Sequence, residues 1–92
     1  MFDGRHCTTS DYSLLVKETK RIISIISDVN GNIEKGLENY IKLISRFDMD
    51  ISDRLMYSLS SKDISRSSMV DIINKYIGEL KQQVLVDIRE HN

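Results

Sequence analysis

The sequence predicts an all-α protein, a small bundle of three to four helices, and three observations support this fold class. Apolar residues recur at spacings of three and four, which places them on one side of a helix. The chain contains no proline, so the breaks between elements must come from other residues. Asparagine, aspartate, glycine and serine cluster between the periodic segments, where they favour turns.

The first predicted helix begins near residue 10. Ser10 or Asp11 can cap it by accepting a backbone N–H that the first turn leaves unpaired. Residues 21–27 are also compatible with a strand, because they are rich in isoleucine and β-branched residues are enriched in strands. Strict alternation is missing there, so the helix is the preferred interpretation. Its apolar stripe consists of Leu15, Ile22, Ile26 and Val29 and is widened by Leu14, Ile23 and Ile25.

Asn30-Gly31-Asn32 predicts a tight turn between two antiparallel helices. Gly31 is expected to supply the left-handed conformation that ends the first helix, and Asn32 to cap the second. The second helix is predicted over residues 33–47, so residues 10–47 form an antiparallel hairpin. Its apolar stripe is the most regular in the chain and consists of Ile33, Leu37, Tyr40, Ile41, Ile44 and Phe47.

Two further helices complete the predicted bundle. A short third helix follows residues 48–50, with Asp50 or Ser52 as its cap, and presents Ile51, Leu55, Met56 and Leu59. The last helix, over residues 67–88, is the longest, and Asp63 or Ser65 can cap it. Ile64 is placed to pack back against its first turns. Its apolar stripe consists of Met69, Val70, Ile73, Tyr76, Ile77, Leu80, Val84 and Ile88.

The predicted domain organisation is a flexible arm over residues 1–9 followed by a single helical domain over residues 10–92. A chain of 92 residues is near the size at which one core gives only a few kcal/mol of net stability, so a partner chain would help. Gly78 interrupts the last helix at a cost of about 1 kcal/mol relative to alanine. It is either tolerated at the edge of the stripe or marks a close approach of a neighbouring helix or a second copy.

Composition limits the functional class. The net charge of −1 argues against a protein whose main task is to neutralise phosphates. Cys7 is the single cysteine, so no intrachain disulfide forms. All apolar runs are far shorter than the roughly 20 residues that span a bilayer, and no signal segment opens the chain. We therefore expect a cytoplasmic protein that does not bind membranes, and the shortage of alanine and proline fits an AT-rich bacterial or phage gene.

Candidate chemical groups are few. Asp3, His6 and Cys7 offer oxygen, nitrogen and sulfur, but a structural zinc site needs about four ligands, and the other histidine, His91, lies at the opposite end of the sequence. Neighbours in a flexible arm cannot hold the geometry that activates a thiolate. The sequence shows no glycine-rich phosphate loop and no carboxylate pair in a pocket-forming context. We expect no metal site, no cofactor and no enzymatic activity.

Residues 62–74 read Lys-Asp-Ile-Ser-Arg-Ser-Ser-Met-Val-Asp-Ile-Ile-Asn. This segment resembles the turn and recognition helix of helix-turn-helix DNA-binding proteins, in which the helix start faces the DNA. It departs from that pattern at Asp63, where the turn often has glycine, and at Leu59, where a small residue is usual. The alternative interpretation is a serine-rich helix start. The resemblance implies DNA contacts by Ser65, Arg66, Ser67, Ser68 and Asn74.

The apolar faces of three helices lead to the expected function. A face that is left over after the core is built must bury itself against a partner, by helix-in-groove or coiled-coil packing. We therefore expect a protein-binding module such as an adaptor, small chaperone, inhibitor or immunity-type regulator, with a homodimer as the simplest assembly. A small transcription regulator using residues 51–77 is the alternative. The predicted partner-binding residues are Tyr40, Met69, Ile73, Tyr76, Ile77, Leu80 and Val84.

Overall fold

The computed structural model describes residues 7–61 and 63–90, and over these residues the chain forms four helices and no strand. The helices are α1 (Thr9–Ser27), α2 (Ile33–Phe47), α3 (Met49–Leu59) and α4 (Arg66–Glu90). This confirms the predicted all-α bundle with its antiparallel hairpin, short helix and long C-terminal helix. The strand alternative for residues 21–27 is wrong, because that segment lies within α1.

The helices pack as a closed ring around one core. Helix α1 contacts α2 and α4, and α3 also contacts α2 and α4. The described part of the molecule measures 42 × 21 × 19 Å. Helix α4 has 25 residues and is therefore about 37 Å long, nearly the full length of the bundle. It packs against both α1 and α3 and contributes to the core.

The start of the fold lies earlier than predicted. Thr8 caps α1: its hydroxyl accepts the Asp11 backbone N–H at 3.2 Å, and the Asp11 carboxylate accepts the Thr8 backbone N–H at 2.8 Å. The prediction of Ser10 or Asp11 as the cap is wrong. Cys7 is buried, and its backbone N–H donates to Asp87 of α4 at 2.6 Å. Residues 7–9 therefore belong to the fold and not to a flexible arm, whereas residues 1–6 lie outside the described residues.

The turn between α1 and α2 is held by polar groups and by a small residue. The Asp28 carboxylate accepts the Asn30 backbone N–H at 3.0 Å. The prediction that Gly31 is left-handed is wrong, because its φ lies outside that region. Glycine is required there for another reason: a Cβ would collide with the carbonyl oxygen of Ile25. Asn32 caps α2 as predicted, since its side chain accepts the Lys35 backbone N–H at 3.2 Å.

One residue, Asp48, separates α2 from α3 and caps the latter. Its carboxylate accepts the Ile51 backbone N–H at 3.1 Å, so the prediction of Asp50 or Ser52 as the cap is wrong. Ser52 is instead buried, and its hydroxyl donates to the Ile41 carbonyl of α2 at 3.1 Å. This hydrogen bond satisfies a polar group inside the core and holds α3 against α2.

Candidate partner-binding groove

The predicted partner-binding residues fall mostly in the core of the single chain. Met69 and Tyr76 are half-buried at the edge of the apolar packing. The other five are between 0% and 4% exposed and are covered by the protein's own helices: Tyr40, Ile73, Ile77, Leu80 and Val84. Side chains this deeply buried offer almost no contact area to another molecule. The exposed apolar surface lies elsewhere.

A groove of about 340 Å³ runs along the outer side of the hairpin, between α1 and α2. We call it the α1–α2 groove. Ile22 and Tyr40 form its floor and are buried, at 2% and 4% exposure. Its remaining lining residues follow one side of each helix at spacings of three and four: Leu14, Glu18, Arg21 and Ile25 on α1, and Gly36, Asn39, Leu43 and Arg46 on α2.

Gly36 explains why the groove is open on a tightly packed hairpin. A Cβ at this position would lie 3.1 Å from Ile22 Cδ1 and 3.4 Å from the Ile25 side chain. The missing side chain lets α1 approach α2 closely and leaves space above the contact. The interpretation of the sequence did not single out Gly36. The available signal was a glycine inside an otherwise regular helical pattern, where it is unfavourable without a packing reason.

A buried hydrogen bond braces the floor of the groove. The Thr19 hydroxyl donates to the Leu15 carbonyl at 2.7 Å, so its oxygen accepts the hydrogen of the Tyr40 hydroxyl, also at 2.7 Å. Burial raises the pKa of the Tyr40 hydroxyl well above its usual range. Tyr40 therefore stays protonated and joins α2 to α1. Its polar group serves the fold, and Tyr40 also lines the groove.

The rim of the groove carries a small positive charge. Arg21 and Arg46 are exposed on opposite walls, and Glu18 is the single acidic lining residue. Arg21 lies 3.7 Å from Glu18, with its side chain 71% exposed. Arg46 forms no ion pair with any residue in the described ranges. Asn39 adds an exposed amide, so the groove combines apolar walls with groups that can bind an acidic partner.

The residues assigned to DNA contact by the helix-turn-helix resemblance lie at the exposed start of α4. The hydroxyls of Ser65 and Ser68 hydrogen-bond to each other at 2.9 Å, and Ser65 accepts the Ser68 backbone N–H at 3.1 Å. Ser65 thus caps α4, one of the two predicted options. Asp71 is exposed and lies between Ser67 and Asn74 on one helix face, where it would repel phosphates. Arg66 is exposed beside them.

The described residues contain no cluster of three or more histidine, cysteine, aspartate or glutamate side chains that could hold a metal ion. Asp3 and His6 of the considered metal set lie outside those residues, and Cys7 is buried and forms no disulfide. Among the helices that the structure describes, none is long and apolar enough to cross a membrane. No family model, curated protein or solved structure matches this chain. The groove is therefore interpreted from its own geometry and charge.

Proposed function

We propose that the protein is a non-enzymatic protein-binding module, of the adaptor, small chaperone, inhibitor or immunity-type class, and that it binds an amphipathic helix of its partner in the α1–α2 groove. The observation that carries this proposal is an apolar channel that the described residues leave uncovered. Leu14 is 41% exposed, and Ile25 and Leu43 are half-buried above the buried floor. Recognition of a helix in a groove uses apolar anchors at spacings of three and four.

The length of the groove sets the size of the partner segment. Its α1 wall runs from Leu14 to Ile25. Eleven residues at 1.5 Å each span about 16 Å, or about three helical turns. A partner helix lying in the groove would therefore contribute about three apolar anchors, at positions i, i+3 or i+4, and i+7. A second copy of this chain is one possible source of such a helix, in line with the homodimer expected from the sequence.

A second group of exposed apolar side chains is a weaker candidate for the binding surface. Met49, Met56 and Tyr57 lie on the outer side of α3, at exposures of 65%, 49% and 86%. They lie on a single helix and do not line the α1–α2 groove. Exposed apolar residues of this kind are common on protein surfaces. The two-walled groove on the hairpin is therefore the preferred binding surface.

Groove variants test the proposal. A tagged copy is purified from its native cell, after nuclease treatment, as the parent chain and as Leu14→Asp and Leu43→Asp. Val29→Asp is the control, because Val29 is 79% exposed and does not line the groove. We expect a stoichiometric partner protein to be retained by the parent and the control and lost from both groove variants, while circular dichroism shows unchanged helix content.

The other outcomes decide against the proposal in different ways. A partner that is retained equally by all four proteins would place the binding surface outside the groove. Nucleic acid that is removed by nuclease, with no stable protein partner, would favour the helix-turn-helix alternative. Two differently tagged copies of the chain, purified together, show whether the partner is a second copy.

A further inference from the structure

We infer that the α1–α2 groove selects an acidic partner: an amphipathic helix with Asp or Glu on both flanks of its apolar stripe, which pair with Arg21 and Arg46. This inference rests on the proposed function and adds the chemistry of the partner to it. It starts from the two exposed arginines on opposite walls of the groove and from the single acidic lining residue between them.

The arginines are available to a partner. Arg46 makes no ion pair with the described residues, and the contact of Arg21 with Glu18 is long, at 3.7 Å, and open to solvent. Exposed ion pairs of this kind contribute little, so a better-placed carboxylate can replace this one. The wider charge distribution agrees. Residues 9–47 contain six basic and five acidic residues, whereas residues 48–90 contain six and eight. The hairpin is thus the positive part of a chain whose net charge is −1.

The register of the hairpin sets the spacing that the acidic residues of the partner helix should have. Thr19 contacts Tyr40, and Ile25 lies against Gly36, so Arg21 lies near the level of Asn39. By the same antiparallel register, Arg46 lies near the level of Leu14. These two levels are seven residues apart along α1, which corresponds to about 10 Å or two helical turns. The partner helix should therefore carry its two acidic residues about two turns apart and on opposite flanks.

Two designed helical peptides test this pattern with the full chain. Both have the same three apolar anchors, and they differ only in carrying two Glu or two Lys at the flanking positions. Binding is measured by calorimetry at low and high salt. We expect the Glu peptide to bind about tenfold more tightly than the Lys peptide, with roughly two- to fivefold from each exposed pair. The preference should shrink at high salt, because exposed charge pairs are screened.

Charge variants assign the preference to the arginines. The double variant Arg21→Glu and Arg46→Glu should reverse it. Arg89→Glu is the matched control, since Arg46 and Arg89 are each the basic residue in the last turn of their helix and lose the same interaction with the helix end. Arg46→Gln removes the charge without reversing it and should reduce the preference by about two- to fivefold. Circular dichroism verifies that each variant is folded.

The outcomes separate the two levels of the proposal. If both peptides bind with equal affinity, or the Lys peptide binds more tightly, and Leu43→Asp abolishes binding, the groove remains the binding surface and the acidic partner is ruled out. If neither peptide binds at concentrations up to about 1 mM, or if Leu43→Asp leaves binding unchanged, binding of a helix in the groove is ruled out as well.

Discussion

The apolar stripe of α4 and the α1–α2 groove both contain apolar residues at helical spacing, yet one is core and the other is surface. Helix α4 is packed against α1 on one side and α3 on the other, so Ile73, Leu80 and Val84 have no exposure. The outer side of the hairpin has no third helix above it among the described residues, and Leu14 stays 41% exposed. The longest stripe is thus part of the core, and the exposed side of the hairpin provides the candidate binding surface.

The largest expected effect tests whether the α4 stripe is core. Ile77 is 1% exposed, and Ile77→Asp would bury a charge without a partner, at a cost of several kcal/mol that is comparable to the stability of a small domain. We expect loss of helical circular dichroism. Val86→Asp is the control on the same helix, because Val86 is 47% exposed, and should change the free energy of unfolding by less than about 0.5 kcal/mol. A stably folded Ile77→Asp would remove the contrast between the two surfaces.

The next largest expected effect on stability comes from the Thr19–Tyr40 hydrogen bond under the groove. Thr19→Val leaves the buried Tyr40 hydroxyl without an acceptor and should cost about 1–3 kcal/mol. Tyr40→Phe should cost less, about 0.5–1.5 kcal/mol, because Thr19 still donates to Leu15. Urea denaturation of both variants and of the double variant measures the coupling. The double variant should be no less stable than Thr19→Val alone, and strictly additive losses would argue against the hydrogen bond.

Alkaline pH tests the same hydrogen bond, because it removes the proton of the Tyr40 hydroxyl. Burial raises the pKa of Tyr40 in the folded chain, so the unfolded chain releases this proton first, above its usual pKa of about 10. The contribution of Tyr40 to stability is therefore fully present below about pH 10 and decreases above it, by about 1.4 kcal/mol per pH unit. Tyr40→Phe should lack this component when urea unfolding is compared between about pH 9 and 11.5. Parallel pH profiles of the two proteins would contradict the assignment.

The smallest expected changes in stability come from replacing one glycine in each of the two regions. A Cβ at Gly78 of α4 would meet no atom of the described residues within 4 Å, so Gly78→Ala should stabilise the chain by about 0.5–1 kcal/mol through helix propensity alone. Gly36→Ala has the same propensity gain, but its Cβ would press on Ile22 Cδ1 at 3.1 Å. We expect a smaller gain or a net loss. Thermal unfolding measures both variants, and equal gains would show that Gly36 is not the contact that shapes the groove.

The Gly78 result also bears on the two interpretations of that residue. Among the residues that the structure describes, no other helix approaches Gly78 closely, since a Cβ there would meet none of their atoms within 4 Å. An approach by a second copy stays a prediction. If Gly78→Ala weakens self-association while it stabilises the fold, this helix face contacts a second copy. If self-association is unchanged, glycine is simply tolerated on an exposed face.

The sequence predicted the bounds of the helices more reliably than their capping residues. The bounds of α2 and its cap Asn32 were predicted as they are observed, and α4 differs from its prediction by one residue at its start and two at its end. The errors at Thr8 and Asp48 have one physical reason. Several neighbouring residues can accept the same N–H groups, and the backbone geometry at the helix start decides which of them does so.

The sequence by itself determined that the chain forms helices, where the hairpin turns and which residues share a face, because periodicity, caps and turns act over a few neighbouring positions. Only the tertiary structure decided which faces are covered. Burial depends on residues far apart in the chain, such as Cys7 and Asp87 or Thr19 and Tyr40. In the groove, likewise, Gly36 lies against Ile22 of the other helix. An apolar stripe indicates that a helix face is buried away from water. The elements that pack around this face determine whether the chain itself or a partner covers it.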